Sequence, residues 1–190
     1  MEGDARSTTH PIQQPIATEA EANSAFDDVT YKKGQSFLRM LESFLGQAVF
    51  RDGIRRYIAA HKYSNTTTAD LWNALSKASN KSVAEIAAGW TEQPGFPIVT
   101  VKREGDSKVR FTQERFTVNF KNAQPLLWQI PLTYSVVGLP AEASAKAGET
   151  PATLLMTDKT TVLENTPVDR ALKLNINGAG NYRVEYDDRS

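Results

Sequence analysis

The sequence predicts an α+β fold: an N-terminal helical subdomain of about four helices, followed by an antiparallel β-sandwich of six to seven strands. Three observations predict it. Between about residues 31 and 90, apolar residues recur at three- and four-residue spacing, the period of helices with one buried stripe. Past the breakers Pro94, Gly95 and Pro97 the spacing falls to two, as in half-buried strands. Those alternating runs are short and separated by turn residues, which favours two packed sheets over one open sheet.

The elements follow in order. Residues 1–25 are polar, contain Pro11 and Pro15 and show no period, so they read as an extended lead-in. From Tyr31 to Gly46, the residues Phe37, Leu38, Leu41, Phe44 and Leu45 make the stripe of a first helix, and Gly46 is its stop. A second helix puts Phe50, Ile54, Tyr57 and Ile58 on one face, with Arg51, Arg55 and Arg56 mostly away from it. Gly53 weakens that helix locally. Thr67, three residues before Asp70, reads as the cap of a third helix that turns Leu71, Trp72 and Leu75 inward. Ser82-x-x-Glu85 has the form of a capping box and opens a fourth helix ending near Trp90. Seven runs then read as strands: 98–101, 109–111, 128–136, 154–156, 161–163, 172–176 and 182–186. Gly178-Ala179-Gly180 reads as the hairpin turn between the last two, and the Ala/Ser/Gly-rich residues 141–148 as a flexible loop. The predicted division is therefore 1–95, helical with an extended lead-in, and 96–190, the sandwich.

Composition excludes several function classes. Twenty-two basic residues balance twenty-two acidic ones, so no summed field attracts nucleic acid or an anionic membrane surface. No apolar run approaches the roughly 20 residues of a bilayer-spanning helix. The first residues also lack the apolar core of a signal peptide. The absence of cysteine removes disulfide and thiolate chemistry. His10 and His61 are the two histidines, and neither has the one-turn spacing of a zinc helix; both read as surface or turn residues. There is no Gly-x-Ser-x-Gly elbow and no phosphate-binding loop. Asn65-Thr66-Thr67 and Asn80-Lys81-Ser82 match a glycosylation pattern, but both stand at helix starts, where capping explains them. Lys32, Lys33, Arg39, Arg51, Arg55, Arg56 and Lys62 read as a solvated helix face, because acidic residues are interspersed among them.

Several spaced motifs point further. Tyr31-Lys-Lys-Gly34 followed by Phe37-Leu-Arg-Met-Leu-Glu42, with Phe26-Asp27-Asp28 and the Thr-Thr-His10-Pro-Ile12 segment upstream, resembles the aminopeptidase N family, the zinc-dependent gluzincin exopeptidases that include puromycin-sensitive aminopeptidases. Gly89-Trp90-Thr-Glu-Gln-Pro94-Gly-Phe-Pro97 resembles that family's junction between catalytic domain and sandwich. The Gln113-x-Arg115-Phe116, Trp128-x-Ile130-Pro131 and 177–186 segments resemble its strands. The resemblance implies that this is the C-terminal part of a catalytic domain plus the adjoining sandwich of a zinc metalloaminopeptidase, which hydrolyses N-terminal residues from peptides. It implies that Tyr31 is catalytic, its hydroxyl donating to the oxyanion formed when zinc-bound water attacks the peptide carbonyl. A phenol suits this, being neutral at pH 7 and able to donate. The resemblance also places Phe26 in the pocket for the substrate's N-terminal side chain. The family's His-Glu-x-x-His helix, distal Glu ligand and Gly-x-Met-Glu-Asn strand have no counterpart in these residues. The chain is thus expected to bind no metal itself and to be inactive alone, the zinc belonging to the complete parent enzyme. Its expected partners are the peptide substrate and the missing zinc-binding half, which an exposed apolar face would receive. The alternatives are a non-catalytic β-sandwich interaction module and one half of a split aminopeptidase.

Overall fold

The computed structural model describes residues 2–120, 122–137, 151–166 and 169–187. The helices are α1 (Glu19–Ser24), α2 (Asp28–Leu45), α3 (Gln47–His61), α4 (Thr68–Ser79) and α5 (Val83–Thr91). The strands are β1 (Pro97–Glu104), β2 (Lys108–Arg115), β3 (Ile130–Val137), β4 (Ala152–Met156), β5 (Thr160–Leu163), β6 (Ala171–Leu174) and β7 (Arg183–Tyr186). Helices precede strands, as the change of period predicts, and each of the seven alternating runs contains a strand. The expected loop at 141–148 lies outside the described residues.

The strands form a four-stranded sheet, β5-β2-β1-β7, and a three-stranded sheet, β4-β3-β6. All pairs are antiparallel except β1 and β7, which run parallel with Val99 opposite Val184. Val99, Val101, Val109 and Phe111 of one sheet and Ile130, Leu132, Leu172 and Leu174 of the other are buried, so alternation feeds one core from both sheets. Pro131 has no N–H to donate, and it lies where β3 pairs with β4 alone, before β6 joins at Tyr134.

Several local expectations are corrected. The Gly178–Gly180 segment is not a hairpin turn, because β6 and β7 belong to different sheets. Asn175 makes this crossing in the left-handed region (φ 53°). Its side chain accepts from the Gly180 N–H at 2.7 Å and donates to the Gly180 and Tyr182 carbonyls. A Cβ on Gly180 would lie 2.1 Å from the Tyr182 ring. The fourth predicted helix lacks its capping box: Ser82 makes no side-chain cap bond, and the Val83 N–H donates to Ser76 Oγ of α4 at 3.1 Å. Thr67 and Asp70 do form the reciprocal box of α4. Gly53 is less a weak point than a contact point, since a Cβ there would lie 2.8 Å from Leu75 Cδ2 and 3.2 Å from Leu75 Cα. Its lack of a side chain lets α3 and α4 approach closely. Ile58, assigned to the buried face of α3, is exposed, and Leu38 lies at the exposed edge of the α2 stripe.

The lead-in is more structured than extended chain. It contains a 3₁₀ turn at Gly3–Ala5 and the helix α1, whose Thr18 and Glu21 form a capping box. It is also tied down: Val118 N–H donates to Ala5 O and Gln13 N–H to Thr91 O, each at 2.8 Å.

Helices and sheets share one continuous apolar cluster. Phe37 of α2 stacks on Trp90 of α5 with ring centroids 5.9 Å apart, and Trp90 meets Trp128 at 6.2 Å. Trp90 Nε1 donates to Gln129 O at 3.0 Å. Beneath them Gln113, 1% exposed, accepts from Trp128 N–H and donates to Trp128 O and Asp158 O, all at 2.9 Å. Gln113→Leu would leave these buried backbone groups unpaired, and should lower stability by about 3 kcal/mol. Urea denaturation checks this, with Glu114→Ala on the exposed face expected to stay within about 0.5 kcal/mol of the parent.

Candidate active site

Tyr31 lies in the opening turns of α2, and the local sequence explains why the helix begins there. Asp27 has extended backbone angles, and its Oδ1 accepts from the Thr30 N–H at 2.8 Å, capping the helix. The Asp27 carbonyl accepts the Tyr31 N–H at 3.1 Å. The helix therefore starts three residues earlier than the apolar stripe alone predicts. An Asp before the first helical residue was the available signal.

Successive helical residues turn by about 100°, and this separates the members of Tyr31-Lys-Lys-Gly34. Tyr31 is 63% exposed, and Lys32 is exposed with Asp28 as its ion-pair partner at 2.5 Å. Lys33 turns inward. Phe26, 70% exposed, lies beside Tyr31 with ring centroids 6.5 Å apart. The fold thus brings together the two predicted site residues, both on open surface. Among the described residues no protein group hydrogen-bonds the Tyr31 hydroxyl.

Lys33 departs from the solvated face expected of it. It is 4% exposed, and its ammonium donates to the Gln93 carbonyl at 2.8 Å and pairs with Asp4 at 3.4 Å. Asp4 is buried too, and it also accepts from the Gly95 N–H at 2.9 Å and the Thr9 hydroxyl at 2.5 Å. Burial pushes the Lys33 ammonium below its ordinary pKa, the Asp4 charge pulls it partly back, and Arg115 adds to the depression. Next to this pair is a cleft of about 420 Å³ walled by Asp4, Arg6, Asp28, Lys32 and Asn181 among others; neither Tyr31 nor Phe26 lines it.

His10 is a partnered residue. Its Nε2 lies 2.6 Å from Asp27 Oδ2, and its Nδ1 lies 2.8 Å from Pro11 O and 2.9 Å from Gln14 Nε2. Desolvation alone would lower the His10 pKa; the Pro11 carbonyl and the Asp27 carboxylate outweigh it and hold the imidazole above its ordinary 6.5. The Thr30 N–H, and then His10, hold the Asp27 carboxyl below its ordinary 3.8. The stabilisation from His10 is therefore complete below about pH 6.5 and lost as pH rises through its raised value. That from Asp27 is complete above its unfolded value and lost as pH falls through the lowered one. His61 ends α3, with its ring 5.5 Å from Tyr57.

Among the described residues no group of three or more His, Asp or Glu side chains is placed to hold a metal ion. His10, a ligand type for zinc, is committed to Asp27 and Pro11. Among the described residues no helix is long and apolar enough to cross a membrane.

A helical half opening on an exposed Phe–Tyr pair, set on a strand-rich half, is the setting in which the comparisons with known proteins fall. Residues 1–90 match the Peptidase family M1 domain. Nearly the whole chain aligns with curated aminopeptidases. It is 39% identical over 98% of its length to "Probable aminopeptidase 2" of Sulfurisphaera tokodaii, and 37% identical over 100% to "Leucyl aminopeptidase" of Saccharolobus solfataricus. It is 35% identical over 97% to "Puromycin-sensitive aminopeptidase" of Caenorhabditis elegans. The chain is thus similar to the peptidase family M1 aminopeptidases, its residues 1–90 matching the family's domain. It spans 22%, 22% and 19% of those relatives, about a fifth of their length.

The Lys33–Asp4 pair predicts a large mutational effect. Asp4→Ala would strand a buried ammonium and free the Gly95 N–H, lowering stability by about 3–5 kcal/mol in denaturant titrations. Asp4→Asn keeps an acceptor for Gly95 and Thr9, so it should cost measurably less.

Proposed function

We propose that this chain contributes Tyr31 to a zinc aminopeptidase that removes N-terminal residues from peptides. In this reading the Tyr31 hydroxyl donates a hydrogen bond to the oxygen of the scissile carbonyl as negative charge develops on it. Such a donor acts because it is held in place before the charge appears, so no reorganisation is required during the reaction. The observation that supports this most is the exposure of Tyr31 beside Phe26, on a helix start that the protein fixes from behind through Asp27. An aromatic pair left on the surface marks a face that meets another molecule.

Phe26 is proposed to contact the side chain of the substrate's first residue. The zinc-binding half is the proposed partner, seated on the side of α2 that also exposes Leu38, two helical turns after Tyr31. Residues 1–95 would then be the catalytic-domain portion and 96–190 a sandwich that supports α2 and α5 from below. On its own the chain would be inactive.

The test is to assemble an enzyme from this chain and a zinc-binding half, and to assay an aminoacyl-amide. Tyr31→Phe should lower kcat by about 10²–10³-fold while leaving KM within about threefold, because only the developing charge uses the donor. Unchanged kcat in the variant would refute the assignment. Phe26→Ala should raise KM for substrates with large apolar first residues more than for alanine.

A further inference from the structure

We infer that His10 is a positioning residue for Tyr31: by holding Asp27 from outside the helix, it fixes where the first turn of α2 begins. The inference rests on the reading of Tyr31 as the hydrogen-bond donor. Its argument is geometric. Asp27 occupies three positions in one network: Oδ1 accepts from Thr30 N–H, the main-chain carbonyl accepts from Tyr31 N–H, and Oδ2 faces His10 Nε2 at 2.6 Å. A cap residue held on one side by the helix can still swing with it. Held on the other side by a ring from the lead-in, it cannot.

The ring is itself anchored. A carbonyl and a carboxylate accept and never donate, so the contacts with Pro11 O and Asp27 Oδ2 ask for an N–H on both nitrogens. These two contacts are the ones an imidazolium makes. Gln14 Nε2 lies 2.9 Å from Nδ1, a donor that suits the ring once Nδ1 has lost its proton; toward the imidazolium the amide turns its oxygen. When Nδ1 loses its proton, the Gln14 amide turns its NH₂ to the ring, and the Asp27 contact continues as a neutral hydrogen bond. The charged groups facing His10 are Asp27 at the start of α2 and Asp4 in the 3₁₀ turn. Asp4 is held by Lys33, and Asp28 by Lys32. The lead-in carrying His10 is tied to α5 through Gln13 and Thr91, so the position of Tyr31 is referred to the body of the protein and not to the helix end alone.

With two histidines in the chain, NMR of the full chain can follow His10 with His61 as internal reference. Between pH 5 and 9 the amides of Thr30 and Tyr31 and the Tyr31 ring protons should titrate with the His10 ring at one common midpoint above 6.5. In His10→Phe that inflection should vanish, and the first-turn amides of α2 should exchange at least about tenfold faster. Asp27→Ser keeps a good cap but loses the His10 contact, so it should abolish the same inflection. The double variant should then be no worse than either single one. Thr30 and Tyr31 signals that stay flat while His10 titrates would overturn the inference. So would exchange in Asp27→Ser equal to that of the parent. Failure of the catalytic reading would show elsewhere, as a Tyr31→Phe enzyme with full kcat and the titration intact.

Discussion

A lysine ammonium taken out of water must be given partners, and Lys33 is nearly as far from solvent as a lysine can be. Meeting that demand draws three distant parts of the chain to one point: Asp4 of the lead-in, the Gln93 carbonyl after α5 and, through Asp4, the Gly95 amide at the entry to β1. The turn that carries Lys33 inward is the turn that leaves Tyr31 facing out. The orientation of α2 about its own axis is thus fixed by a charge, because no other rotation both hides its apolar stripe and satisfies the ammonium.

Behind that point the helices rest on the sheets through aromatic contact. Phe37, Trp90 and Trp128 form a column from α2 through α5 to the segment before β3, and Gln113 holds Trp128 by both its backbone groups. A buried amide with every partner in place specifies one arrangement where an apolar side chain would tolerate several. The strands therefore contribute to the presentation of Tyr31 from a distance, by denying α5 and α2 alternative seats.

Much of this was legible in the residues. The change from helical to alternating spacing after Pro94 marks the passage from α5 to β1, and Gly46 and Thr67 sit at the helix ends where they were read. The Tyr31-Lys-Lys-Gly34 and Gly89–Pro97 motifs carry the resemblance to the peptidase family whose domain residues 1–90 match. What escaped was non-local. Nothing in the spacing connects Asp4 to Lys33 or His10 to Asp27, since each pair is made by chain packing and not by helical or strand period. Ser82 satisfied a local pattern without capping, while Ser76, brought close by the approach of α4, accepts the first amide of α5, that of Val83. Gly178–Gly180 looked like a hairpin because turn residues are the same whether a chain reverses within a sheet or crosses between two.

Period and turn chemistry are properties of neighbouring residues, so the sequence by itself determined the four longer helices and the seven strands, which faces of α2 and β1 are apolar, and the family to which the chain is related. The tertiary structure decided which polar groups are buried, which strand pairs with which, including the parallel pairing of β1 with β7, and which side of α2 meets solvent. Those depend on desolvation and on partners from remote parts of the chain, and a buried charge or amide acquires its partners only when the whole fold has closed around it.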